Sequence, residues 1–392
     1  MFKAISENKT TYLILSSVLL LGLTLFLTGY FWQAKSTRLQ TVYYFLVVAP
    51  ILLSFTYQIR NYSFNPLFFL SFTLILYTMT TVFWSEDVSI QSLFHQFKKG
   101  LLLLSLFLAV NHVRKRYPDF EANILNLMTF FAIFLAIYNI YTLMITTGLS
   151  GRIHGWGLLD NANVTAEVFG IIFLYTFMQF LKTENKTKMF VFLFISALIL
   201  VEIFLNKSRG QQGALIIAII ISLYFVPGKN LKRLIPIAAV ALASLILLIY
   251  SSNIIETIIN RNAGFSCRDT IWADLLPSAM NTFFFGRGVG SSSGYITYCY
   301  ELSNEPLSGT HSIYMYVLLY TGITGVGLGL LTTFYAVKTA FKSHNEFDKF
   351  WGIIIIYGFI AFIPNGDSLV SRPNEVWPLF WVPLAFISSR KG

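Results

Sequence analysis

The sequence predicts an all-α, polytopic integral membrane protein with about 12 transmembrane helices and one main loop outside the membrane. Three observations carry this expectation. Of 392 residues, 55% are apolar and 12% charged, with a mean hydropathy of +0.65, far from the balance of a water-soluble domain. The apolar residues gather in runs close to the roughly 20 that a helix needs to cross the hydrocarbon region. The 38 Phe, 21 Tyr and 7 Trp add apolar bulk and anchors of the kind that flank bilayer spans. Together these exclude a soluble enzyme and a disordered or fibrous chain.

In chain order the spans are expected over 12–32, 41–58, 66–84, 99–111, 124–147, 163–181, 189–205, 212–227, 234–251, 312–337, 350–364 and 374–388. The fourth, eleventh and twelfth are short, which leaves the total open down to about ten. The first run sits where a signal peptide would, but it is long and no small-residue cleavage pattern follows Gly29-Tyr30-Phe31-Trp32, so it is expected to be retained. Gly322, Gly325, Gly327 and Gly329 along the tenth span are expected to let helices pack closely. With no internal repeat or low-complexity tract, residues 1–392 are expected to form a single transmembrane domain.

The longest polar stretch, about 252–310, reads as a short helix near 269–280, a Gly-rich turn over Gly286-Arg287-Gly288-Val289-Gly290 and a polar tail to Thr310. With a cytoplasmic N-terminus, 17 of the 28 Lys and Arg fall on the cytoplasmic side although the opposite connections are longer. That bias favours N-in and C-in and places the long loop outside. The net charge of +10 then needs no nucleic-acid partner, since basic loops beside anionic membrane lipid account for most of it. Cys267 and Cys299, the only cysteines, both lie in this outer loop. An extracytoplasmic pair suggests a disulfide, which would add about 3 kcal/mol by loop closure. Two unrelated free thiols are the alternative.

Charges are scarce, so those at span ends on one side are informative. In the N-in arrangement Arg152, Arg209, Arg268, Arg287, His311 and Arg372 all face out. A guanidinium donates bidentate hydrogen bonds and keeps its charge at working pH, so several near one membrane surface imply an anionic ligand presented there. For any single position, an interfacial snorkelling Arg is the plain alternative. Trp272 lies four residues after Arg268, on the same face of a helix, where it could pack the helix on the membrane or stack on a sugar. The glycines at 286, 288 and 290 fit either a close backbone approach to a phosphate or sugar or a plain turn. His311 opens the tenth span ahead of Ser312, Tyr314 and Tyr316 and is a candidate general base for a hydroxyl nucleophile, with a structural role as the alternative. CxxC, HExxH, P-loop and kinase signatures are absent, so metal and nucleotide chemistry have no support in the sequence. The reaction is expected to draw on an activated, diphosphate-linked lipid already in the membrane.

Asn206-Lys207-Ser208-Arg209-Gly210, then Arg268-Asp269-Thr270-Ile271-Trp272 with Gly286 to Gly290, then Thr310-His311-Ser312-Ile313-Tyr314 running into Tyr320-Thr321-Gly322, stand in that order over about residues 200 to 335. This ordered set resembles the bacterial O-antigen ligase and O-antigen polymerase superfamily, most of all its ligase branch. The N-terminal half matches only as a hydrophobic multi-span region.

The resemblance implies an inverting, metal-independent glycosyltransferase without cofactors, in the bacterial inner membrane with its active site facing the periplasm. Its donor would be an undecaprenyl-diphosphate-linked glycan and its acceptor a sugar hydroxyl of lipid A-core, giving lipopolysaccharide. Carried over, Arg209 and Arg268 would hold the donor diphosphate, and His311 would activate the acceptor or help bind the phosphates. Arg152 with Asn163 resembles a further family stretch on the donor side, and Asp367 and Arg372 are lesser candidates. Ser312 departs from the Asn that often follows the His. The motifs leave open a polymerase extending the carrier-linked glycan, a protein O-oligosaccharyltransferase, and a non-enzymatic carrier-lipid flippase.

Overall fold

A computed structural model describes residues 9–62, 64–86, 88–148, 151–225, 268–291, 297–298, 306–307 and 309–390. Its principal helices are α1 (Lys9–Thr28), α2 (Ser36–Leu53), α3 (Pro66–Thr80), α4 (Ile90–Arg116), α5 (Phe120–Thr146), α6 (Ala162–Lys182), α7 (Lys186–Leu205), α8 (Arg209–Tyr224), α9 (Arg268–Asn281), α10 (Ile313–Lys342), α11 (Glu346–Ala361) and α12 (Trp377–Ser388). Strand pairing among the described residues is limited to a two-residue antiparallel ladder, Thr297 opposite Leu307 and Tyr298 opposite Pro306. The architecture is all-α. Eight of the helices are long and apolar enough to cross a membrane, while α8, α11 and α12 are shorter. The span expected at 234–251 and both cysteines lie outside the described residues.

α6 sits at the centre. Its apolar residues run all round the helix, the pattern of a core helix, and 89% of its most apolar stretch is buried. α5, α7, α8 and α11 pack around it. Beside it, Phe26 of α1 and Tyr43 of α2 meet the buried Trp377 edge-on at 5.3 and 5.4 Å, and Trp351 stacks on Phe386 at 4.8 Å. Part of the aromatic content therefore fills the core instead of anchoring the interface.

α4 begins nine residues before the span expected at 99–111. Its start is fixed by a reciprocal cap, Ser89 Oγ accepting from Ser92 N at 3.0 Å and Ser92 Oγ accepting from Ser89 N at 2.9 Å. His95, Lys98 and Lys99 of its first three turns line a cavity, which accommodates their polar groups.

The ends of the helices sort onto two faces. On one, Asp348 at the start of α11 accepts from Arg114 at 2.8 Å and pairs with Arg390, and Arg114 also reaches Glu121 at 3.1 Å, so α4, α5, α11 and the end of α12 share one ionic cluster. On the other face lie residues 152–163, 206–211, 309–312 and 362–376, which bring together Arg152, Asn163, Arg209, His311, Asp367 and Arg372.

The tenth span departs from expectation. α10 breaks at Gly322 (φ 67°, ψ −171°), and the loop after α9 fills the break. Arg287 N and Gly288 N donate to the carbonyls of Leu319 and Tyr320, and Ile323 N donates to Phe283 O. Tyr77 of α3 donates its hydroxyl to Thr321 O at 2.7 Å, so the broken helix keeps its backbone satisfied. Gly286 and Gly322 make this possible: both have positive φ, and a Cβ on either would sit 2.3 to 2.6 Å from the other segment's backbone. Close helix packing through a small-residue stripe is not their role. Among the described residues nothing lies within 4 Å of a Cβ placed on Gly327 or Gly329, so no close packing is seen at them either.

Candidate functional site

The site is built on the starts of α6, α8 and α10. Asn161 caps α6 by accepting from Asn163 N at 2.8 Å. Ser208 precedes α8 and Ser312 precedes α10, and neither side chain caps its helix. Among the described residues the first amides of α8 find no acceptor, whereas the first amide of α10, Ile313 N, is taken by two carbonyls; the positive ends of the two helix dipoles point at the same face.

Each of these two starts is preceded by a left-handed residue. Lys207 (φ 54°) and His311 (φ 48°) are the non-glycine residues with positive φ among the described part of the chain. Such a conformation costs roughly 1 to 2 kcal/mol and persists only where the surroundings impose it. At His311 they do. Its N–H donates to Asp367 Oδ1 at 3.3 Å, Thr310 O accepts the Trp272 indole N–H at 3.0 Å, and Ile313 N donates to Phe362 O and Asn365 O. Trp272 thus ties α9 to the His311 turn while its ring packs against the cluster around Leu275 and Leu319.

Arg209 is the first residue of α8. It is exposed and has no hydrogen-bond or ion-pair partner among the described residues. One turn in, Gln211 Nε2 donates to Glu167 Oε1 at 3.0 Å, and Asn365 Nδ2 donates to the same oxygen at 2.8 Å. Glu167, fully buried in α6, therefore joins the start of α8 to the segment that holds His311. Ser208 Oγ bonds Asn163 Oδ1 and, at 2.6 Å, Gln211 Oε1. Arg152 completes this side through Nε to Asn206 O at 2.8 Å and Nη2 to Asn163 Oδ1 at 3.0 Å.

Arg268 opens α9, the helix expected at 269–280. Its buried Nε has no partner among the described residues, and burial lowers its pKa, yet a guanidinium starts so high that it stays charged. Arg287 is differently placed: it pairs with Glu86 and donates to Ser278 Oγ at 3.1 Å, which spends its guanidinium on holding the α9 loop against the end of α3. Arg372 is exposed and lines two half-open cavities, of about 440 and 480 Å³. Between Asp367 and α12, burial first and then the charge of Asp367 raise the pKa of Glu375, which lines the larger one.

Glu167, Gln211 and Asn365 were not among the candidates read from sequence. The signal that could have found Glu167 is a carboxylate inside a span, four residues after Asn163.

A family model described as O-antigen ligase matches residues 192–331, which takes in α8, α9 and the first two-thirds of α10. Over nearly its full length the chain is also 25% identical to a protein of Pseudomonas aeruginosa named O-antigen ligase, across 414 aligned positions covering 98% of this chain and 96% of the relative. On these matches and its apolar helices, the chain is a multi-pass membrane protein similar in sequence to O-antigen ligases.

Proposed function

We propose that the chain is an O-antigen ligase of the bacterial inner membrane, moving a glycan from undecaprenyl diphosphate to a sugar hydroxyl of lipid A-core at the periplasmic face. The observation that carries this reading is an Arg209 without a partner among the described residues, at an uncapped helix start, joined through Glu167 and Asn365 to the His311 turn. Arg209, Arg268 and the open amides at the start of α8 would receive the diphosphate. An apolar groove runs from Ile313, just past His311, along Val317, Gly325 and Gly329 against Phe359 and Phe362, and suits the polyprenyl chain.

In the proposed step the acceptor oxygen bonds the anomeric carbon as the bond from that carbon to the phosphate oxygen breaks. The acceptor proton passes to His311, and polyprenyl diphosphate leaves with its growing charge met by arginine. Attack opposite the leaving group inverts the anomeric centre without a covalent intermediate, and nothing in the step calls for a metal.

The full-length similarity to a relative named ligase favours that branch over a polymerase. Transport is disfavoured by where the intramembrane charges sit. Glu167 and Glu202 lie within about two turns of the site face, by the 1.5 Å rise of a helix, and so trace no path across the bundle.

The deciding experiment compares lipopolysaccharide and carrier-linked glycan from cells with and without the gene. Loss of polymer from lipid A-core with long polymer accumulating on the carrier is the expected result. Single repeat units still attached to lipid A-core would make the protein a polymerase, and unchanged profiles would overturn both readings.

A second expectation concerns Glu167 as a positioning residue. Glu167→Ala leaves the Gln211 and Asn365 amides unpaired and should cost about 1 to 3 kcal/mol of stability. In protein that remains folded, kcat should fall about tenfold, as misplacement of reacting groups does. Glu167→Gln keeps an acceptor at Oε1 and should restore most of it. Equal kcat for Ala and wild type would remove Glu167 from the site's support.

A further inference from the structure

The smaller of the two cavities beside Arg372 has a composition that the donor site does not explain. It is lined by His95, Lys98 and Lys99 of α4, Gln40 of α2, and Ser368 and Arg372 of the segment before α12. Among the described residues no acidic side chain lines it, and none of Lys98, Lys99 and Arg372 pairs with a carboxylate. Lys98 lies over the Tyr44 ring at 4.8 Å, and Lys99 Nζ donates to the Gln96 amide oxygen at 3.3 Å.

Lys99 is about 13 Å down α4 from Ile90, by the rise per residue, and only partly exposed. Three cations gathered in a half-enclosed space repel one another, and the partly buried Lys98 and Lys99 also forfeit hydration, unless an anion neutralises them. The cavity is also next to the chemistry: Ser368 follows Asp367, whose carboxylate takes the His311 N–H. Arg209 and Arg268 are not among its lining residues, so a diphosphate held by them leaves it free.

We infer that this cavity is the anion-recognition subsite for the acceptor, receiving phosphate or carboxylate substituents on the acceptor glycolipid's sugars and so bringing a neutral hydroxyl up to His311. The inference rests on the proposed glycosyl transfer and deepens it by assigning the second substrate its own charged contact. About 440 Å³ holds one or two substituted sugar units and not a polymer, which suits recognition of the acceptor's inner sugars.

The test uses full-length protein in nanodiscs, with purified lipid A-core before and after phosphatase treatment as the varied acceptor. For wild type, dephosphorylation should raise the acceptor KM about tenfold or more, with the donor KM unchanged. Lys99→Gln and Lys98→Gln should raise the acceptor KM similarly on intact acceptor and lose most of the response to phosphatase, while Lys99→Arg should retain it. A rise in donor KM instead would assign the cavity to the donor diphosphate, and an unchanged acceptor KM in both variants would show it idle; either overturns the inference. Absence of transfer by wild type would sink the ligase reading itself, a separate failure. Should the Gln variants misfold, direct binding of intact against dephosphorylated glycolipid to wild-type protein decides the same question: tighter binding of the intact form is expected, and equal affinity overturns the inference.

Discussion

Arg209→Ala is expected to lower kcat for glycan transfer by about 10² to 10³, the loss seen when one preorganised donor to a developing anion is removed. The side chain is exposed and unpartnered among the described residues, so its removal strands no buried group and should change stability by no more than about 0.5 kcal/mol. Its place at the first position of α8 aims it where the open amides of that helix already favour negative charge. Because charge grows on the diphosphate as the anomeric bond breaks, the loss should fall on kcat more than on donor KM. Arg209→Lys keeps the charge without the planar fork and should recover only part of the rate. Arg287→Ala is the control. Its guanidinium is engaged by Glu86 and Ser278, so the variant should unfold at lower temperature while its folded fraction turns over near the wild-type rate. Purified protein in nanodiscs with a polyprenyl-diphosphate glycan gives both numbers, and wild-type kcat for Arg209→Ala would remove this residue from donor binding.

That contrast marks how far the sequence could be read. Arg209 and Arg287 are alike as residues: both basic, both at the edge of apolar stretches, both beside glycine. Only a partner about 200 positions away, Glu86, separates the structural arginine from the free one. The helices were legible because length and apolarity decide a span locally, and their boundaries failed where tertiary context takes over. α4 starts early because Ser89 and Ser92 cap it there and a cavity takes up His95, Lys98 and Lys99. Glu167 was passed over for a related reason. A lone carboxylate in a span acquires meaning from Gln211, 44 residues on, and Asn365, 198 residues on. The left-handed backbone at His311 could not be anticipated either, since no glycine announces it; it is imposed by Asp367, Phe362 and Asn365 from the far end of the chain. Motif order placed the chemistry on one face, and tertiary hydrogen bonds decide which of those residues are free to perform it.

Asp348→Ala should be the most destabilising of these single changes, by about 3 to 5 kcal/mol, the cost of breaking a buried ion pair from one side. Its side chain is 1% exposed and takes Arg114 Nη2 at 2.8 Å, Ser343 Oγ at 2.7 Å and Arg390. Arg114 in turn holds Glu121 at 3.1 Å and Phe386 O at 2.6 Å, and Glu121 takes the Trp351 indole N–H at 2.8 Å. Removing the carboxylate leaves two guanidinium groups sharing one remaining acid in a largely dry setting, and unties α11 from α4, α5 and the end of α12. Arg114→Ala should be as severe, since it leaves Glu121 and Asp348 buried with less compensation. Asp348→Asn keeps an acceptor for Ser343 but not the charge, and should fall between. All of this lies on the face opposite the Arg209 and His311 turns, so the surviving folded fraction should keep its rate of transfer. Thermal unfolding in detergent and kcat per folded molecule separate the two quantities. An unchanged melting temperature would show that the cluster contributes nothing net. A fall in kcat of the folded fraction as deep as that of Arg209→Ala would mean that the two faces are coupled through α11, the helix that carries Asp348 at one end and leads into the Asn365 and Asp367 turn at the other.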